Sequence, residues 1–334
     1  MSCPSLLRHG GNETGITCRN KADSVSLVHN HRGNKNVKAT LPLLAAFLIT
    51  TLYAQEGEPL SVHNTFLDQH RDWEKEHPEY SRVSPAAEAA AMPLQPKAAP
   101  LRKEIFGYLP YWWLPQLNTI DLSLLSTIAF FSVEINGSGD VVNEHGWSSS
   151  ATVTSLLNTA HAAGVRVVLT MTNFTSSEIS AIVNTPSVKV KVIDNLYSLV
   201  AARNADGVNI NFENIASGNK DSVTSFMRDL ATKFHTGRPG SHVSSAPTDF
   251  DFRQGDWDVK AISKFTEALF FQGYGYGWST APIAEPVGLL PTGTYWGSTN
   301  ITTFINGVLA TQPDTSKIIL GLPHFGYDWP TVSP

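Results

Sequence analysis

The stretch DGVNINFENI, residues 206–215, decides the fold. Successive side chains of a β-strand alternate between its faces. Val208, Ile210 and Phe212 therefore share one face, and Asn209, Asn211 and Glu213 share the other. A strand with an apolar face and an amide-and-carboxylate face fits one place well. That place is the wall of a parallel barrel, where one face packs on helices and the other points inward. Inward polar groups must bond to one another, because an unpaired buried amide or hydroxyl costs about 2–7 kcal/mol. Glu213 comes last, at the C-terminal end of the strand, where barrel enzymes carry their catalytic groups. A buried structural network is the competing reading of the same residues.

Outward from this strand the same alternation recurs. Apolar runs stand at 105–112 (IFGYLPYW), 127–135 (TIAFFSVEI), 166–174 (RVVLTMTNF), 207–213 (GVNINFE), 242–247 (HVSSAP), 268–274 (ALFFQGY) and 317–325 (KIILGLPHF). Helical spacing separates several of them. SVKVKVIDNLYSLVAARN (187–204) and KDSVTSFMRDLATKFHT (220–236) carry apolar residues at i, i+3, i+4 and i+7. SATVTSLLNTAHAAG (150–164) ends on the glycine that a helix C-terminus favours. Near-continuous apolar strands alternating with helices imply a parallel sheet covered by helices. Seven strands over ~220 residues fit an α/β (β/α)8 TIM barrel with the eighth unit missing. A doubly wound open sheet is the alternative, but YLPYWWLP after the first strand is not a Gly-rich phosphate turn.

Composition limits the partners. Of 334 residues, 42% are hydrophobic, enough for one large core. Residues 1–38 hold six Lys/Arg against two Asp/Glu, whereas the remainder holds 18 against 27. An acidic body argues against nucleic acid. Cys3 and Cys18 are the only cysteines, and both precede residue 37. The body thus offers no disulfide framework and no thiolate metal site, and no metal-binding motif or cofactor site is expected.

Residues 1–36 show no helical or strand period and read as an unstructured leader, consistent with an upstream start codon that is not used. Lys35 and Lys38, the apolar run Leu41–Tyr53 and the small Ala54 then follow in the order of a signal peptide, over 37–54. The run is shorter than the roughly 20 residues needed to span a bilayer, so no stable span is expected after cleavage. Export to the periplasm, cell surface or medium follows from this reading. Residues 55–100 are polar, with a possible short helix, and then Pro/Ala-rich in the manner of a linker. The barrel domain is expected over 101–334.

The octapeptide from Asp206 to Glu213 resembles the D-x-x-D-x-D-x-E signature of glycoside hydrolase family 18, the chitinase-like barrels. Asp206 matches the first Asp, Asn209 the second, Asn211 the third and Glu213 the acid. GYLPYWW, FFSVEINGSGDV, FFQGYGYGW and LGLPHFGYDW resemble the family's first, second, sixth and seventh strands in order. The resemblance implies a glycosidase acting on glycans that contain β-linked N-acetylglucosamine. It further implies a substrate-assisted, retaining mechanism in which the acetamido oxygen is the nucleophile. Glu213 would be the acid and base, Asn211 would position the acetamide, and Tyr274 would bond the acetamide oxygen. Burial against aromatic rings would raise the Glu213 pKa, as a proton donor requires.

The chain departs from the family pattern at several places. Asn211 replaces an Asp, which removes charge opposite a cationic intermediate. Gly275 replaces an Asp that lines the sugar site, and LTMTNF stands where the third strand carries S-x-G-G. A non-catalytic glycan-binding barrel is therefore the second reading. Asn209, Tyr108, Tyr111, Trp112, Gln272, Tyr276 and Trp329 are the candidate sugar contacts, with Trp278 also past a strand end; for each ring alone, core packing is the simpler role. His324 is more simply structural.

Overall fold

The protein is described by a computed structural model, in which residues 61–80, 90–99, 101–278, 281, 284–291 and 298–329 are described. The leader and the signal-like segment lie outside the described residues.

A helix precedes the sheet: α1, Val62–Glu76. Ser61 caps it, accepting a hydrogen bond from the Asn64 N–H at 3.0 Å. The sheet begins with β1 (Phe106–Pro110), followed by β2 (Thr127–Ile135) and a short antiparallel β3 (Val141–Asn143). Then come α2 (Ala151–Ala162), β4 (Arg166–Asn173), α3 (Ser176–Asn184) and α4 (Pro186–Arg203). The strand of the opening stretch is β5, Gly207–Phe212, followed by α5 (Lys220–Gly237) and β6 (His242–Ser245). Two short helices, α6 (Asp249–Gln254) and α7 (Val259–Ile262), lead to β7 (Ala268–Gln272). The last elements are α8 (Ile301–Ala310) and β8 (Ile318–Gly321).

The strand order is β1-β2-β4-β5-β6-β7-β8, with parallel pairing throughout and β3 attached to β2. This is the curled parallel wall of a TIM-type barrel with seven parallel strands. Among the described residues no pairing joins β8 to β1. The apolar runs read from the sequence overlap each of the seven parallel strands, and the short β3 lies outside them. The first is shorter than its run, because Tyr111 opens a 3-10 segment that continues to Thr119.

Helix ends obey local chemistry. α2 stops where Gly164 takes φ +67°. α4 begins on Pro186 and ends at Asn204, which adopts the left-handed conformation. At Gly207 the backbone of β5 meets its neighbour so closely that a Cβ would lie 1.9 Å from the His242 carbonyl oxygen. Glycine alone fits there.

The two faces of β5 divide as their alternation requires. Val208, Ile210 and Phe212 join the core between sheet and helices, with Leu169, Phe226, Leu230 and Val200. A second, smaller apolar cluster fills the barrel interior: Phe106, Ala129, Val168, Ala246 and Phe270. Polar side chains stack above it. Asn209 accepts a hydrogen bond from the Tyr108 hydroxyl at 2.8 Å and donates to Ser244 Oγ at 2.9 Å. The next inward residue of the strand is Asn211, and Glu213 follows at the mouth.

The upstream segment packs on this barrel. The described residues fall in one compact unit, so α1 and the sheet belong together. The extended residues 90–99 run along the helical layer. The Ala91 N–H donates to the Arg203 carbonyl and the Gln95 N–H to that of His161. No described helix is long and apolar enough to cross a membrane.

Candidate active site

Asp206, just before β5, sits at the opposite end of the barrel from Glu213. It accepts the Val167 N–H at 2.7 Å and pairs with His161 Nε2 at 2.9 Å, so it anchors the start of the strand. Past the strand's other end the backbone turns at Asn214, with φ +64°. Asp251 holds that turn, accepting from the Asn214 and Ile215 N–H groups at 3.3 and 2.9 Å and from Thr248 Oγ1 at 2.7 Å. Burial pushes the Asp251 carboxyl up to about 7 against those bonds. Glu213 is thus presented inward from a fixed turn.

Gln272, Ser61 and His63 converge on the carboxyl. Gln272, at the end of β7, donates to Glu213 Oε1 at 3.3 Å, to Asn211 Oδ1 at 3.2 Å and to the Ala246 carbonyl at 2.9 Å. The third neighbour comes from outside the β/α repeat. His63, in the first turn of α1, places Nδ1 2.7 Å from Glu213 Oε1. The same nitrogen lies 2.7 Å from Asn211 Nδ2. One ring nitrogen cannot serve both, and the carboxylate, as the charged partner, takes the stronger bond. Tyr274 completes the ring with its hydroxyl 3.3 Å from His63 Nε2. Tyr274 and Tyr108 stay protonated, because burial and the nearby Glu213 charge raise both phenols.

The expectation that burial leaves Glu213 with a raised pKa is overturned. Burial does push the carboxyl up, but the His63 charge and hydrogen bond, with bonds from Ser61 and Gln272, outweigh it. The carboxyl lies below its ordinary value. Only 3% of Glu213 is exposed. The sequence offered no sign of His63, because its approach is tertiary and spans 150 residues.

The other predicted sugar contacts divide into groups. Tyr108, Asn209, Asn211, Gln272 and Tyr274 meet around the same interior column. Tyr111 does not face it: it is fully buried, stacked on His145 at 4.1 Å, and donates its hydroxyl to Glu74 of α1. Trp112 is covered by the same helix, with its ring stacked on His70 at 3.8 Å. Tyr276 turns toward Asp249, and burial raises its hydroxyl far above the ordinary range. Trp329 donates its indole N–H to the Trp278 carbonyl at 3.1 Å. His324 is exposed. Among the described residues no group of three His, Cys, Asp or Glu side chains could hold a metal ion.

A polar cavity of about 380 Å³ remains beside α1, between the helix and the ends of β2 and β4. Asn64, Arg71, Glu134, Asn173 and Glu178 line it.

Comparison with known proteins agrees with this architecture. The chain is 27% identical over 212 residues to a Bacillus subtilis (strain 168) protein named "Putative sporulation-specific glycosylase YdhD". It is 21% identical over 214 residues to the cortical fragment-lytic enzyme of Bacillus anthracis. Each match covers 61% of this chain and 46% of the relative, so the chain spans about half the length of these curated relatives. Among solved structures, catalytic domain 2 of the Ostrinia furnacalis Group II chitinase superposes with a TM-score of 0.55 at 17% identity, covering 67% of this chain and 64% of that one. The Cycas revoluta GH18 chitinase, solved with (GlcNAc)3, gives 0.57 at 14%, covering 65% and 68%. At these identities the likeness is one of fold. The family model for glycosyl hydrolases family 18 matches residues 104–334, and the chain belongs to that family.

Proposed function

We propose that the protein is an exported glycoside hydrolase that cleaves β-linked N-acetylglucosamine-containing glycan, of chitin or peptidoglycan type. Glu213 is its acid and base. The observation that carries this reading is the column at the barrel mouth. One carboxyl, Glu213, stands at the end of β5 with Asn211 directly beneath it, and Tyr274 stands across from both. In a family-18 chain that column suits the substrate-assisted reaction. The Glu213 carboxylic acid gives its proton to the leaving glycosidic oxygen while the substrate's acetamido oxygen attacks the anomeric carbon. The C–O bond to the leaving group breaks with retention of its electron pair on oxygen. The carboxylate then takes a proton from water, which opens the cyclic intermediate and restores the acid.

Asn211 accepts the acetamide N–H through its oxygen, and the Tyr274 hydroxyl donates to the acetamide oxygen. Asn211 supplies no negative charge to the cationic intermediate, which lowers the rate relative to an Asp. The relatives' printed names, a sporulation-specific glycosylase and a cortical fragment-lytic enzyme, support a glycan-cleaving reading. The signal-like segment at 37–54 supports export.

The test is hydrolysis of N-acetylchitohexaose and of purified peptidoglycan by the full chain and by Glu213→Gln. Loss of an acid and base lowers kcat about 10²–10⁴-fold. Turnover unchanged in Glu213→Gln removes Glu213 from the mechanism. Binding of either glycan without any product would favour the glycan-binding reading, which Asn209, Asn211 and Gly275 motivate.

A further inference from the structure

We propose that α1 is an autoinhibitory segment that occupies the reacting-sugar position of this cleft, with His63 as the plug. This rests on the glycosidase reading of the column. Three observations carry it.

First, His63 fills the site. Its ring lies among Phe131, Tyr274, Tyr108 and Phe174, with centroids 5.2, 5.8, 6.0 and 6.4 Å away. It meets Asn211, Glu213 and Tyr274, the same three groups that would handle the acetamide and the leaving oxygen. An imidazole is a five-membered nitrogen heterocycle, close in size to the five-membered ring that the acetamide would close on the sugar. With α1 docked the imidazole takes the place beside Glu213 that a sugar ring would need.

Second, α1 is latched at its far end. Glu74 is buried and accepts the Tyr111 hydroxyl, and its carboxylate lies 3.1 Å from His145 Nε2. Arg71 approaches Glu134 at 3.8 Å, Leu67 is 2% exposed, and His70 stacks on Trp112. The helix thus covers an aromatic residue that the open cleft would present to sugar.

Third, the cleft is shaped to the helix. Gly275 has φ +86°, and a Cβ there would lie 3.3 Å from Val62 Cγ2. Val62 occupies the space of the side chain that glycine lacks, next to the residue that plugs the site.

The test compares the full chain with Leu67→Asp, which places a charge in the helix's buried contact, and with Asp68→Pro. Asp68 is exposed, so the second change breaks the helix without entering the core and serves if the first fails to fold. kcat/KM and affinity are measured for N-acetylchitohexaose and for purified peptidoglycan glycan strands. A synthetic peptide of residues 61–80 is added in trans. The expected result is a rise of at least tenfold in kcat/KM and in affinity for either folded variant, reversed by the peptide but not by its His63→Ala form. Variants that hydrolyse and bind no better than the parent chain overturn the autoinhibitory role and leave the glycosidase reading standing. Absence of binding and hydrolysis in parent and variants alike sinks the glycosidase reading and the inference with it.

Discussion

His63 Nδ1 and Glu213 Oε1 stand 2.7 Å apart across 150 residues of sequence, and this contact sets the ionisation of the site. A general acid must be protonated to act, so activity falls as pH rises through its pKa. His63 lowers that pKa, whereas burial alone raises it. In His63→Ala burial is no longer outweighed, so the alkaline limb of the kcat/KM–pH profile is expected to move to higher pH. A limb that stays in place, or moves down, shows that His63 does not govern the acid.

The latch at the other end of α1 predicts a pH window for docking. The His145 bonds to Glu134 and Glu74 outweigh its burial and raise its pKa, and the bonds Glu74 receives from His145 and Tyr111 outweigh its own burial and lower that of Glu74. The raised His145 contributes fully below its ordinary value of 6.5, and that share is lost as pH climbs through its folded value. The depressed Glu74 contributes fully above 4.5, and that share is lost as pH falls through its folded value. Arg71 and Glu134 face the same pair. Amide protection across residues 62–76 should therefore peak between those two values and weaken on the alkaline side. Glu74→Ala should cost about 2 kcal/mol of docking, as loss of a charged hydrogen bond does, and flatten the alkaline decline. Hydrogen exchange at several pH values, corrected for intrinsic rates, reads both effects.

The floor of the barrel gives a separate prediction. Gly207 opens β5 where a Cβ would meet the His242 carbonyl oxygen at 1.9 Å. That oxygen is backbone in a paired strand and cannot step aside without breaking the β5–β6 ladder. Gly207→Ala should destabilise the barrel by at least about 3 kcal/mol, in the range of severe overpacking. A denaturant melt with an unchanged midpoint would show that the strand can shift after all.

These contacts mark what the sequence can disclose. The barrel was legible because its rules are local. Alternation in β5 separated Val208, Ile210 and Phe212 from Asn209, Asn211 and Glu213, and the structure keeps that division. Gly164 marks a helix end by backbone geometry alone. Tyr111 and Trp112 show where local reasoning stops. Both follow the first strand as sugar platforms should, yet α1 covers them through Glu74 and His70. α1 has ordinary polar composition, and nothing in residues 62–76 says which surface it will meet. The pKa of Glu213 was misread for the same reason: its burial was foreseeable, and its histidine partner was not.

Gly275 offers the sharpest check on how closely cleft and helix are matched. Its φ of +86° is easy for glycine and strained for other residues by about 1–2 kcal/mol. Any Cβ there also presses on Val62 at 3.3 Å, a contact that needs the valine to give way by a few tenths of an ångström. An aspartate adds a carboxylate that must then find space beside His63. Gly275→Asp should therefore lower the melting temperature modestly through backbone strain. It should also accelerate exchange selectively in residues 62–70, the half of α1 nearest the site, while the half latched by Glu74 and His145 holds longer. A uniform loss of protection across the whole barrel would mean that strain alone is at work. Protection unchanged in α1 would mean that Val62 does not depend on the glycine.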